Sequence, residues 1–148
     1  MRVVIQRVKR ASVSIGGEIF SSIDAGLMVL VGVENGDTPD DAAWLATKTA
    51  SLRIFNDDAG VMNRPVTDAG GSILAVSQFT LTASTRKGNR PSYIRAAGHD
   101  VAVPLYEEYC TLLERLTGRP TAKGVFGADM QVELVNDGPF TLVLDSDT

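Results

Sequence analysis

The chain reads as one α+β domain, with a mostly antiparallel, strongly curved or barrel-like β-sheet and two main helices packed outside it. Three observations lead there. Period-two alternation marks both ends of the chain, two stretches with three- and four-residue apolar spacing interrupt it, and no repeat or linker divides residues 1–148.

Residues 2–8 set Val3, Ile5 and Val8 against Arg2, Gln6 and Arg7, and residues 11–15 alternate strictly, so both predict half-buried strands. Gly16-Gly17 predicts a turn, and residues 18–23 return as the second arm of a hairpin. Residues 26–33 are apolar, partly β-branched and stopped by Glu34-Asn35-Gly36-Asp37, the pattern of a central strand buried on both faces. Thr38 then offers a cap, Pro39 suits the first helical position, and Asp40 and Asp41 favour the positive end of the helix dipole. That helix should run to about Leu52, with Ala42, Leu45, Ala46, Thr49 and Leu52 as its apolar stripe. Residues 56–60 form a loop, and a strand follows over residues 72–81 before the polar stretch 82–90. A second helix starts near Asp100, buries Leu105, Tyr109, Leu112 and Leu116, and ends at Gly118 and Pro120. Strands over residues 130–135 and 140–144 close the domain, separated by Asn136-Asp137-Gly138-Pro139.

Composition narrows the function classes. With 44% apolar and 22% charged residues the chain is neither collagen-like, low-complexity nor disordered. Its apolar runs, such as Leu27 to Val31, fall far short of the roughly 18–20 residues that cross a bilayer, so no membrane partner is expected. The opening Met1 to Arg7 lacks the apolar block of a signal peptide, and a lone Cys110 forbids an internal disulfide, so a cytoplasmic protein is expected. One cysteine and one histidine leave no thiolate or imidazole metal spacing, and neither a metal nor a cofactor is expected.

The net charge of −4 argues against non-specific coating of nucleic acid, but its distribution is uneven. All 18 acidic residues lie outside residues 1–17 and 69–99, whereas eight of the 14 basic ones lie inside: Arg2, Arg7, Lys9, Arg10, Arg86, Lys87, Arg90 and Arg95. Brought together they would make a positive face able to hold a phosphate backbone; with counter-charges nearby they would be an ordinary solvated face.

No GxSxG elbow, GxxxxGK[ST] loop or GxGxxG turn is present. Cys110 sits beside the apolar stripe of the second helix and reads as a packed small hydrophobe. His99, just before that helix, reads either as a general base or as a surface residue. Two segments stand out. In Ser77-Gln78-Phe79-Thr80-Leu81 an apolar strand ends in hydroxyls and an amide, where fixed polar groups can face a ligand; Thr80 as nucleophile would need an adjacent base that the local sequence lacks. In Asn136-Asp137-Gly138-Pro139-Phe140-Thr141 the Gly-Pro pair permits a cis bond, although most such pairs are plain trans turns.

Together with Val4-Ile5-Gln6-Arg7-Val8, Ala11-Ser12-Val13, Gly70-Gly71-Ser72, Gly88-Asn89-Arg90-Pro91-Ser92 and Phe126-Gly127-Ala128-Asp129-Met130, these segments resemble, in order and over essentially the whole chain, the D-aminoacyl-tRNA deacylases. The resemblance implies a cytoplasmic homodimer that hydrolyses the ester of a D-amino acid, or of mischarged glycine, on the terminal adenosine of tRNA. It implies that Gly138 and Pro139, joined by a cis bond, enter the partner's active site and exclude L side chains. Ser77, Gln78, Phe79 and Thr80 would surround the ester, Arg7 would hold the Gly-Pro turn, and Phe126 and Met130 would line the pocket. Phe140 departs from the family, where smaller aliphatics are usual, so pocket shape or cross-subunit packing is expected to differ. The resemblance further implies that the terminal 2′-OH assists the attacking water and that backbone N–H groups near Gln78 and Phe79 face the oxyanion.

An aminoacyl ester is already activated, so orienting water and stabilising an oxyanion suffice without a protein nucleophile. Arg86, Lys87 and Arg90 are the candidate tRNA contacts. Two other classes stay open: a small-ester hydrolase dependent on Thr80, and a non-catalytic tRNA-binding module.

Overall fold

The computed structural model describes residues 1–147. Along them run β1 (Arg2–Ile15), β2 (Glu18–Ile23), β3 (Gly26–Gly32), α1 (Pro39–Ser51), the short β4 (Phe55–Asn56) and β5 (Met62–Arg64), and β6 (Ser72–Ser77). A 3-10 turn over Phe79–Thr82 precedes α2 (His99–Thr117), β7 (Ala122–Lys123) and β8 (Gln131–Asp145).

β1 organises the sheet. One of its edges pairs with β3 along its first half and with β2 along its second, while β8 follows its other edge from end to end, all antiparallel. Beyond β3 the sheet turns parallel, through β6 to β7. Here the mostly antiparallel expectation is modified for a topological reason. The chain passes through α1 between β3 and β6 and through α2 between β6 and β7, and parallel neighbours require such crossovers. The curvature brings the sheet's ends together, for Ser21 Oγ of β2 donates to the Lys123 carbonyl of β7 at 2.7 Å. The result is a nearly closed barrel with both helices outside.

β1 is one strand where the alternation suggested two. Its pairing with β8 shifts register between Gln6 and Val8 and again between Val8 and Arg10, and such irregularities bend a strand and reverse its facing. Val3 and Ile5 accordingly join the cluster beneath the helices, whereas Val8, Ala11 and Val13 join a second cluster with Met28, Leu74 and Val76. The same shifts accommodate residues 136–139, so the two expected final strands are one continuous β8.

β3 is central and buried as expected, apart from a half-buried Leu30. α1 begins as predicted, with the Thr38 N–H and hydroxyl both donating to the Asp41 carboxylate at 2.8 and 3.2 Å. In α2 the buried side chains are Ala102, Leu105, Tyr106, Tyr109, Cys110 and Leu113, so the stripe lies a step away from Leu112 and Leu116. Two hydrogen bonds explain that rotation. Thr49 Oγ1 of α1 shares one with the Tyr109 hydroxyl at 2.8 Å, and the Tyr106 hydroxyl donates to the Ala75 carbonyl of β6 at 2.6 Å. Tyr106 thus seats α2 over the strand that ends in Ser77.

Candidate active site

The predicted strand over residues 72–81 stops at Ser77. Gln78 N–H still donates to the Val31 carbonyl of β3 at 2.8 Å, but the chain then tightens into the 3-10 turn, with Thr82 Oγ1 donating to the Phe79 carbonyl and Arg2 Nη1 to the Leu81 carbonyl, both at 2.8 Å. This break opens a cleft of about 590 Å³. Ser77, Gln78 and Phe79 line it together with Phe126, Met130 and His99.

Each wall is fixed from behind. The Phe126 ring meets His99 edge to face at 5.0 Å and Tyr106 at 6.2 Å, so ring contacts lead from the cleft to the hydroxyl that holds β6. Met130 packs its sulfur so closely on Gly124 that a Cβ there would lie 2.5 Å from it. Desolvation pushes the Tyr106 phenol well above its ordinary range, so it stays a neutral donor. Burial likewise pushes the Cys110 thiol up to about 12, in keeping with a packed residue.

Thr80 does not line this cleft. Its hydroxyl accepts from the Gln78 carboxamide, and among the described residues no base is hydrogen-bonded to Ser77 or Thr80, so Thr80 orients Gln78. The Gln78 N–H is engaged with the Val31 carbonyl, and the Phe79 N–H stands at the start of the turn. His99 is exposed yet borders the cleft, a placement that a lone histidine near a helix start does not reveal.

Gly138 and Pro139 do not reach the cleft of their own chain. They are exposed on β8, joined by a cis peptide bond, and held from several directions. Arg7 Nε donates to the Asp137 carbonyl at 3.0 Å and Nη1 to the Ile54 carbonyl at 2.6 Å. Asn136 spans the turn, accepting the Phe140 N–H at 2.6 Å and donating to the Phe140 carbonyl at 3.2 Å. The Phe140 ring lies 5.3 Å from the Arg7 guanidinium, so this larger residue packs on the arginine of its own chain, and it is not among the residues that line the cleft. In the sequence Asn136 stands out only as part of this motif; its clamping role, reaching four residues on to Phe140, is seen only in the structure.

The two basic windows meet where Arg2 Nη1 donates to the Leu81 carbonyl, but several of their cations are already engaged. Arg2 pairs with Asp145, Arg95 pairs with Glu34, and Arg7 is engaged by carbonyls. Arg86, Lys87 and Arg90 are exposed and make no ion pair among the described residues. They occupy a loop closed at its base by Ser84 N–H to the Ser92 carbonyl and Ser92 N–H to the Ser84 carbonyl, at 2.9 and 2.8 Å.

With this barrel-like α+β fold, a cleft at one strand end and a clamped Gly-Pro turn on its last strand, the chain falls by its relatives into the class of the aminoacyl-tRNA deacylases, which are hydrolases. More particularly, the family model described as D-Tyr-tRNA(Tyr) deacylase matches residues 4–145, and the chain belongs to that family. It is 57% identical over 146 residues to a D-aminoacyl-tRNA deacylase of Phocaeicola vulgatus and 56% identical over 146 residues to one of Dechloromonas aromatica, in each case covering 99% of this chain and 97% of the relative. A solved structure titled c-Myc DNA Unwinding Element Binding Protein superposes with a TM-score of 0.91 at 38% identity, covering 98% of both chains. A probable eukaryotic D-amino acid tRNA deacylase shares the fold with a TM-score of 0.82 at 17% identity, covering 97% of both chains. No helix among the described residues is long and apolar enough to cross a membrane.

Proposed function

We propose that the protein hydrolyses D-aminoacyl-tRNA, and glycine mischarged on tRNA, as a homodimer in the cytoplasm. The observation that carries this reading is a family match spanning both motifs, in a chain whose Gly138–Pro139 turn stands outside its own cleft. In a symmetric dimer each turn can enter the partner's cleft, where its backbone forms a wall against L side chains. A backbone wall cannot give way by changing rotamer, so discrimination works by exclusion.

Water adds to the ester carbonyl carbon, the Phe79 N–H stabilises the resulting oxyanion, and the tetrahedral intermediate collapses by breaking the bond to the adenosine 3′ oxygen. The water's proton ends on that oxygen, giving free amino acid and intact tRNA. The neighbouring 2′-OH positions the water, which suits a cleft whose one side-chain hydroxyl among the described residues, that of Ser77, lacks a paired base. Ser77 and the Gln78 carboxamide border the ester, Phe126 and Met130 hold the adenosine end, and Arg86, Lys87 and Arg90 meet tRNA phosphates.

Tyrosine release from D-tyrosyl-tRNA is measured with the amino acid on the 3′ oxygen of a terminal adenosine or 2′-deoxyadenosine. Rapid release that slows sharply on the deoxy substrate is expected. Equal rates on both would remove the 2′-OH from the mechanism, and no release from either would overturn the hydrolase reading.

A further inference from the structure

Phe79 and Tyr93 form an exposed aromatic pair between the cleft and the basic loop. Their rings meet edge to face with centroids 5.1 Å apart, yet they remain 54% and 41% exposed. Phe79 also borders the cleft, whereas Tyr93 lies outside it. Both flank the base of the loop that carries Arg86, Lys87 and Arg90. Phe79 begins the 3-10 turn that leads into Ser84, and Tyr93 directly follows Ser92, where the loop closes.

The backbone beneath Tyr93 is pinned. Ala96 N–H donates to the Tyr93 carbonyl at 3.0 Å, Asn35 N–H to the Arg95 carbonyl at 2.9 Å, and Ala97 N–H to the Val33 carbonyl at 3.0 Å. Asn35 Nδ2 donates to the Ile94 carbonyl at 3.1 Å. Burial does not require an aromatic ring at this position, since Tyr93 and neighbouring Ile94 both face solvent. A rigidly mounted, solvent-facing ring next to cations that make no ion pair among the described residues is the arrangement that binds single-stranded nucleic acid, through base stacking and phosphate contact.

We infer that Tyr93, backed by Phe79, stacks an unpaired base of the substrate's 3′ end, the one just before the terminal nucleotide held in the cleft. The inference rests on the proposed tRNA substrate and extends it from the reacting nucleotide to the adjoining single strand. The partner chemistry is fixed by the setting. The cleft takes the end of the strand, the loop supplies charge for its phosphates, and the ring pair lies between them. Tyr93 is a binding residue for the strand and takes no part in the chemical step.

The test uses the full-length protein and uncharged tRNA with 2-aminopurine replacing the penultimate base, whose fluorescence is quenched on stacking. Wild type should quench it on binding, Tyr93→Phe should preserve the quenching, and Tyr93→Ala should lose it. With D-tyrosyl-tRNA, Tyr93→Ala should raise KM on the order of tenfold with kcat nearly unchanged, the size expected for loss of one base stack. With D-tyrosyl-adenosine, which ends at the cleft, the variant should match wild type. Unchanged quenching and KM in Tyr93→Ala would overturn the inference, as would an equal loss on the single-nucleotide ester, which would make Tyr93 a support for Phe79. Because the fluorescence experiment needs no ester cleavage, it decides the stacking role even if the deacylase reading fails.

Discussion

Gly138→Ala is the smallest change that addresses the proposed chiral wall. Gly138 has φ of +145°, a region that residues with a Cβ rarely occupy, and an added Cβ would lie 3.0 Å from Phe140 N and 3.1 Å from Arg7 Nη2. Neither neighbour is free to yield. The Phe140 N–H is held by Asn136 and the Arg7 guanidinium by two carbonyls, with the Arg7 side chain only 13% exposed. Backbone strain of this kind costs about 1–3 kcal/mol, which the turn can relieve only by moving. At about 1.4 kcal/mol per tenfold change, the rate on the D ester should fall roughly 5- to 150-fold if the turn completes the site. The turn lies outside both core clusters, so the melting temperature should drop by no more than about 10 °C. Initial rates on D- and L-tyrosyl-tRNA, with thermal unfolding as the control, measure this. A smaller D-to-L ratio in a folded variant is expected; rates and ratio both equal to wild type would refute the reasoning. Arg7→Lys, which keeps the charge but not the two-pronged hold, should shift the ratio in the same direction.

If the wall comes from a second copy, refolding a mixture of Gly138→Ala and Gln78→Ala chains should restore about a quarter of the wild-type rate, because half the dimers would carry one intact cleft facing one intact turn; no recovery would oppose a shared site. Hydrogen bonding from the Thr38 backbone holds the Asp41 carboxyl below its ordinary 3.8, so its contribution is present above that value and is lost as pH falls through the lower folded one. Denaturant melts of wild type and Asp41→Asn should therefore differ at about pH 7 and converge as pH falls below the lowered folded value, where the carboxyl is protonated in both states; a constant difference would contradict the helix-start geometry. Buried Cys110, its thiol pushed up to about 12, should resist a disulfide-exchange reagent at pH 8 in the native protein and react fully after denaturation.

The legible parts of this fold were those determined by neighbouring residues. Thr38-Pro39-Asp40-Asp41 carries its own capping groups, and the uninterrupted apolar run through β3 reflects burial on both faces. The break after Ser77 was hidden because Phe79, Thr80, Leu81 and Thr82 all suit strands. What turns them into a 3-10 turn includes the hold of Arg2, from the other end of the chain, on the Leu81 carbonyl. The continuity of β8 through a Gly-Pro pair was hidden for a similar reason, since β1 absorbs the irregularity in its own register shifts. At the site, the two motifs were legible as segments, but their separation within one chain was legible only through the family resemblance and not from the strand pattern. Alternation shows that residues 136–141 belong to a strand; it does not show that this strand holds the turn away from Ser77.

The most direct measurement is side-by-side release of tyrosine from D-tyrosyl-tRNA and L-tyrosyl-tRNA by the purified protein. Rapid loss of the D ester with the L ester untouched is the predicted result. Equal loss of both would leave a hydrolase without a chiral wall and contradict the role given to Gly138 and Pro139.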